Sequence, residues 1–222
     1  MSASELIYRY YRRSIPRERS WIAIYGAIGD YSGDTEFVKN AILNWDARAL
    51  YFEVSTIVMG IKNDEFSGYD AKRNIVRVLS RGDNPSDIPG LVASAKQAVN
   101  REFDLYELIK KKAKRYEKIG YVKDIQSFGF RGPSALFAST VMNTPVGLSV
   151  YTRERYLDVT LRARDERIPL NRLAEKSSEM VGGSGGGHPR AAGARIPLGS
   201  FETFLEKINK TLDQVCKQKI FN

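Results

Sequence analysis

The feature that most restricts how this chain can fold is a glycine-rich segment at residues 182–197, GGSGGGHPRAAGARIP. Glycine adopts positive φ angles freely and, having no Cβ, lets backbone N–H groups come close to an anion. His188 and Arg190 lie in the same segment and can donate hydrogen bonds to phosphate oxygens. These residues favour a loop that binds phosphate or nucleic acid, with a flexible linker as the alternative.

The residues around the glycines exclude two common phosphate-binding motifs. No Gly-Lys-Ser/Thr follows the glycines, so the segment is not a Walker loop. A helix is predicted before it, where the dinucleotide-binding fingerprint requires a strand. A linker also has no need of the stiff His-Pro-Arg at 188–190 or of the small residues at 191–193.

The first half of the chain has the apolar spacing of helices. A turn-rich loop is predicted over 81–90, and the apolar pattern of residues 51–61 does not decide between helix and strand. Helices are expected over residues 17–29, 35–50, 70–80 and 91–119. Residues 1–100 are therefore expected to form a mostly helical N-terminal lobe. Residues 101–122 are expected to be a connector helix.

The second half of the chain alternates element types. Residues 157–163 alternate apolar and polar side chains, as a half-buried strand does. Pro169 and Gly182 are placed to begin and end a helix. Further elements are expected at 134–142 (helix), 146–151 (strand), 194–196 (strand) and from Ser200 onward (helix). This alternation predicts an α/β class, with a mixed sheet in residues 123–222.

Charge and composition narrow the function further. The net charge of +9 favours a polyanionic partner, because neutralised phosphates release their counterions. The single cysteine excludes an internal disulfide framework and a cysteine-based zinc site. No apolar run approaches the roughly 20 residues of a membrane span. We therefore expect no membrane association and a cytoplasmic, nucleoid-associated location.

Three segments resemble a known family. GGGHPRAAGARIP at 185–197 is similar to the signature of the DHH-associated domain of RecJ-like phosphoesterases. WIAIYGAIGDY at 21–31 resembles the last conserved segment of the catalytic DHH domain, whose aspartate corresponds to Asp30. NPSDIPGL at 84–91 is similar to the linker region of archaeal RecJ relatives. The N-terminal lobe would then be the remnant of a DHH domain.

The resemblance also implies which residues bind the ligand. In that family the Gly-Gly-Gly-His loop and a strand arginine hold the phosphate of nucleic acid. The strand arginine matches Arg162 within VTLRAR. The binding residues so implied are Arg162, Gly185, Gly186, Gly187, His188 and Arg190.

The family's metal ligands are missing from the sequence. Its nuclease chemistry uses metals held by an Asp-x-Asp pair, a further Asp and an Asp-His-His triplet, which together generate hydroxide at neutral pH. His188 is the chain's single histidine, so the triplet cannot occur, and no Asp-x-Asp precedes Asp30. Asp30 is at most a vestigial ligand, and a helix end explains it more simply. The sequence predicts a protein that is not an enzyme and holds no metal or cofactor.

The preferred hypothesis is a non-catalytic DNA replication factor that binds single-stranded DNA. The chain resembles the archaeal RecJ-like proteins of the Cdc-forty-five type, which implies association with the GINS complex and the MCM helicase. Two alternatives stay open. The chain could be the nucleic-acid-binding half of a split DHH-family exonuclease or oligonucleotide phosphodiesterase, or it could be an RNA-binding module.

Overall fold

The computed structural model describes residues 1–30, 32–125, 129–165 and 167–218, with side chains described as far as Gln214. The chain divides into two compact units, Met1–Arg101 (unit 1) and Glu102–Asn222 (unit 2). None of the helices in the described ranges combines the length and apolar character that crossing a bilayer requires.

Within its described residues, unit 1 consists of helices joined by turns and loops and contains no strand. Its helices are α1 (Ala3–Tyr11), α2 (Ser20–Gly29), α3 (Glu36–Ile42), α4 (Ala47–Gly60), α5 (Asp64–Ser67), α6 (Tyr69–Arg81) and the first part of α7 (Leu91–Lys112). The apolar helix α2 lies at its centre and buries Trp21, Ile24 and Ala27 against Leu50 and Val54 of α4. This burial explains why α2 is apolar on every side.

The expected helix over 35–50 is interrupted. Helix α3 ends at Ile42 and α4 begins at Ala47. Asp46 accepts a hydrogen bond from the backbone N–H of Arg48 and so caps α4, which starts a new helix where apolar spacing alone predicted a continuous one. The residues left open at 51–61 continue α4 as far as Gly60.

Unit 2 is built on a six-stranded mixed sheet with the strand order β1-β2-β3-β4-β6-β5. Strands β2 and β3 are parallel, and the other neighbours are antiparallel. The elements are β1 (Lys114–Tyr116), β2 (Ile119–Lys123), α8 (Arg131–Met142), β3 (Val146–Thr152), β4 (Tyr156–Ala163), α9 (Leu170–Glu179), β5 (Ser184–His188), β6 (Ala191–Pro197) and α10 (Phe201–Gln218). The predicted α/β class with a mixed sheet is confirmed.

We expected a helix over residues 91–119 and a connector helix over 101–122. Both expectations are wrong for the residues after Lys112. Helix α7 ends at Lys112, and residues 114–123 form the β1–β2 hairpin at one edge of the sheet. The lysine-rich end of α7 and the residues after it look equally helical in composition. The pairing of Ile119–Lys123 with β3 makes this segment a strand, which is a tertiary effect.

The two faces of the sheet pack differently. The apolar residues of the central strands, with Phe201, Phe204 and Ile208 of α10 and Leu173 of α9, form one large buried core. Helix α8 packs on β2, β3 and β4. Paired glycines Gly120 and Gly147 lie beneath it, and a Cβ at these positions would lie 2.3 Å and 1.8 Å from the carbonyl oxygens of Ala138 and Ala135. Helix α8 can therefore approach the sheet only over glycine.

We expect Gly147→Ala to destabilise unit 2 by about 2–3 kcal/mol, because the new methyl group would displace α8 from the sheet. Gly186→Ala in β5 is the matched control: no atom lies within 4 Å of a Cβ built there, so we expect a change within about 0.5 kcal/mol. Urea unfolding followed by far-ultraviolet circular dichroism measures both. Equal stability of the two variants would contradict the close packing of α8.

Candidate functional site

The glycine-rich segment is a β-hairpin, so the prediction of a loop is wrong. Residues Ser184–His188 form the edge strand β5, Pro189 and Arg190 make a two-residue turn, and Ala191–Pro197 return as β6. The register pairs Gly186 with Gly193 and His188 with Ala191. Glycine has a low intrinsic preference for strands, so the strand depends on pairing with β6 and packing on α9.

The strand alternation separates the three glycines predicted to bind phosphate. By the register, Gly186 and His188 lie on the same side of the sheet as Arg162, and Gly185 lies on the other side. Gly187 has a φ of +134°, and a Cβ there would point at the backbone of Ala191 and Ala192 in β6. A Cβ on Gly185 would lie 2.7 Å from the carbonyl oxygen of Ala174 in α9. Gly185 therefore permits close packing of α9, and Gly186 is the glycine of the three that lies on the open face.

Three rows of side chains cross the open face from β4 through β6 to β5. The first row joins Arg162, Ala191 and His188, the second Thr160, Gly193 and Gly186, and the third Asp158, Arg195 and Ser184. We call this surface, together with the flank of α8 beside it, the trough. Arg162 and His188 lie two strands apart, about 10 Å, at the same end of the trough.

Helix α8 forms one wall of the trough. The guanidinium of Arg162 lies against Gly132 in the first turn of α8, since a Cβ there would be 2.6 Å from Nη2. Arg162 Nη1 also donates to the carbonyl oxygen of Leu161 at 2.9 Å, and the side chain is half-buried. This packing holds the guanidinium beside the sheet and limits its freedom.

Two clefts lie along the same wall. One, of about 430 Å³, is lined by Arg131, Asp158, Thr160, Gly193 and Arg195, among others. The other, of about 380 Å³, lies between Leu136 and Thr140 of α8 and the Pro189–Arg190 turn. His188 and Arg190 are exposed, so this end of the hairpin is accessible to a ligand.

The structure thus brings Arg162, Gly186, His188 and Arg190 to one surface and places Gly185 on the other side of the sheet, while a Cβ on Gly187 would point at the backbone of β6. Sequence reasoning missed Arg131 and Arg153, which reach the trough from the start of α8 and the β3–β4 turn. Arg195 lies within the glycine-rich segment but was not among the residues predicted to bind the ligand. The alternation of β6 would have placed Arg195 on the same face as Gly193, but its pairing with Asp158 follows from the register of the sheet, and no sequence pattern connects Arg131 with either residue.

Asp30 lies at the C-terminal end of α2, where it is exposed. Within the described ranges, no three His, Cys, Asp or Glu side chains are grouped so that they could hold a metal ion. These described residues therefore do not fit the metal cluster implied by the family resemblance. His188 shares its cross-strand row with Arg162, whose guanidinium has no lone pair to offer a metal.

Residues 137–216 match the family model of the DHHA1 domain. No curated protein matches the chain in sequence. The matched range includes β4, the β5–β6 hairpin and part of α8, which together carry most of the trough.

Solved structures share the fold at low sequence identity. The DHH domain of a member of a ribosomal-protein family aligns with a TM-score of 0.63 at 15% identity, over 88% of this chain and 50% of that one. RecJ from Thermus thermophilus, in complex with Mg²⁺, aligns with a TM-score of 0.58 at 17% identity, over 92% of this chain and 36% of that one.

A pGpG-specific phosphodiesterase from Vibrio cholerae aligns with a TM-score of 0.56 at 12% identity, over 92% of this chain and 71% of that one. The chain thus spans half of the first structure and about a third of RecJ. Residues 137–216 thus match the DHHA1 domain, and the chain shares its fold with the DHH-domain protein and with RecJ.

Proposed function

We propose that this chain, whose residues 137–216 match the DHHA1 domain, binds single-stranded nucleic acid in the trough and does not itself cut the strand. The observation that carries the proposal is the open floor of Thr160, Gly193 and Gly186, bordered by guanidinium and imidazole donors. A phosphodiester backbone can lie directly on this floor because no side chain covers Gly186.

The donors suit the backbone of a nucleic acid better than its bases. Arg162 and Arg190 offer planar N–H forks, and His188 offers a ring N–H, all of which match phosphate oxygens. Contacts of this kind position a strand without reading its sequence. We therefore propose binding without sequence preference and with a strong dependence on salt.

Arg162→Gln and His188→Ala should each weaken binding of a labelled oligothymidylate by about tenfold, because each removes a charge-assisted or polar hydrogen bond to phosphate. Fluorescence anisotropy at low salt measures the affinity. Arg115→Gln is the matched control, since Arg115 is exposed on β1 at the opposite edge of the sheet. Wild-type affinity in the Arg162 and His188 variants would contradict the proposal.

Competition between DNA and RNA oligomers of the same sequence separates the preferred proposal from an RNA-binding module. If the chain is a DNA-binding protein, the DNA competitor should displace the label at least as well as RNA. Preferential displacement by RNA would favour the RNA-binding alternative, in which the 2′-hydroxyl contributes to binding.

A split enzyme is the second candidate, because the chain spans only part of the enzymes whose fold it shares. In that case another chain would supply the metal ligands. With Mn²⁺ added, we expect the purified chain to release no mononucleotide from a labelled single strand, because its described side chains form no metal-binding group. Release that survives further purification would overturn the non-catalytic proposal.

We further propose that the chain acts as a replication factor of the Cdc-forty-five type, associated with the GINS complex and the MCM helicase. The family resemblance and the missing metal ligands support this proposal. A single-strand-binding trough would suit a protein that holds a displaced strand near a helicase.

The tagged chain should copurify GINS subunits from its native extract, identified by mass spectrometry. Nuclease treatment of the extract is the control, because association through protein contacts survives it and association through shared DNA does not. Recovery of no GINS subunit under either condition would count against the replication role and leave the binding proposal standing.

A further inference from the structure

Asp158 on β4 is surrounded by three guanidinium groups. Arg195 Nε donates to Oδ1 at 3.2 Å, and Arg153 Nε donates to Oδ2 at 3.2 Å. Arg131 Nη1 lies 3.8 Å from Oδ2. Each guanidinium carries five N–H groups, and each of these contacts uses one nitrogen. The three arginines therefore bring more N–H donors to this position than one carboxylate can accept.

One carboxylate does not balance three guanidinium groups. The Asp158 side chain is 20% exposed, whereas the side chains of Arg131, Arg153 and Arg195 are 40%, 41% and 57% exposed. The cluster therefore presents a net charge of about +2 at the surface. Exposed ion pairs contribute little to stability, so folding alone gives no reason to gather three arginines around one aspartate.

Two tyrosine rings fix the arginines further. Tyr151 lies 4.9 Å from the Arg131 guanidinium and 4.4 Å from that of Arg153. Arg195 stacks over Tyr156 at 4.0 Å. Cation–π contacts and the shared carboxylate thus orient guanidinium groups that would otherwise be mobile, which lowers the entropic cost of binding an anion.

The cluster lies at the opposite end of the trough from His188. Asp158 is four residues from Arg162 along β4, a distance of about 13 Å, and both face the open side of the sheet. Between them lies the floor of Thr160 and Gly193. The approximately 430 Å³ cleft contains Arg131, Asp158 and Arg195 and opens onto the same floor.

We propose that Arg131, Arg153 and Arg195 form a second phosphate subsite, which holds a phosphate further along the strand whose first phosphate lies beside Arg162 and His188. This inference rests on the proposed function and adds to it that the trough holds at least two phosphates of the same strand, at positions about 13 Å apart. A mononucleotide is too short to reach both ends of the trough. Asp158 orients the three guanidinium groups and does not contact the phosphate.

The test compares a thymidine mononucleotide, dinucleotide and tetranucleotide, each with a 5′-phosphate, by isothermal titration calorimetry at low salt. For the wild-type chain we expect affinity to rise with length as the strand reaches the second subsite. In the Arg153→Gln/Arg195→Gln double variant we expect most of this gain to disappear, with affinity for the mononucleotide within about twofold of wild type.

The salt dependence provides a second measurement. The slope of log K against log salt concentration for the tetranucleotide should fall by about 0.7 for each phosphate that the variant no longer neutralises. The control variant Arg115→Gln/Lys118→Gln removes the same charge from the β1–β2 hairpin at the opposite edge of the sheet. It should keep both the gain in affinity with length and the slope of the wild type, apart from a small nonspecific decrease.

The outcomes separate this inference from the proposed function. If the wild-type chain binds no oligonucleotide of any length, both proposals fail. If the wild-type chain binds and the double variant keeps the full gain in affinity with length, the proposal of a second subsite is wrong, and the proposal that the trough binds a single strand still stands. Should the double variant unfold, as judged by circular dichroism, the single variant Arg195→Gln decides in the same way with a smaller expected loss.

Discussion

The close packing of α8 on the sheet determines the rest of the site. Gly120 of β2 and Gly147 of β3 are paired, and they leave room for the carbonyl oxygens of Ala138 and Ala135. The same cross-strand row continues through Arg162 and ends at His188 on the edge strand. A helix held further from the sheet would not place its first turn against the Arg162 guanidinium. The packing glycines and the proposed binding residues Arg162 and His188 therefore lie in one cross-strand row.

The two faces of the sheet have different physical roles. On one face, apolar side chains of β3, β4 and β6 pack against α9 and α10 and provide the hydrophobic stability of unit 2. On the other face, α8 packs on β2, β3 and β4, and Gly186 of β5 remains open. Beside α8 this face presents glycines and the side chains of Thr160, Arg162 and Arg195, so an anionic ligand can approach it.

The chemistry available to this surface is limited by the types of residue that line it. Guanidinium groups bind phosphate through charge and directed N–H groups, but they do not activate water. Activation of water would require a metal cage or a general base, and the metal ligands of the described residues are not gathered in one place. Binding of a phosphate backbone is thus the chemistry for which the guanidinium groups of the proposed site are suited.

The sequence by itself determined the element types with strong periodicity, the alternation of β4 and the absence of an Asp-His-His triplet, because these follow from residue identity and spacing alone. Through the family motif it also led to the prediction that Arg162 and His188 bind phosphate. Only the tertiary structure made the glycine-rich segment a strand, separated Gly185 from Gly186 and brought Arg131 and Arg153 to Asp158. Strand pairing and helix packing join residues far apart in the chain, and local sequence does not encode those contacts.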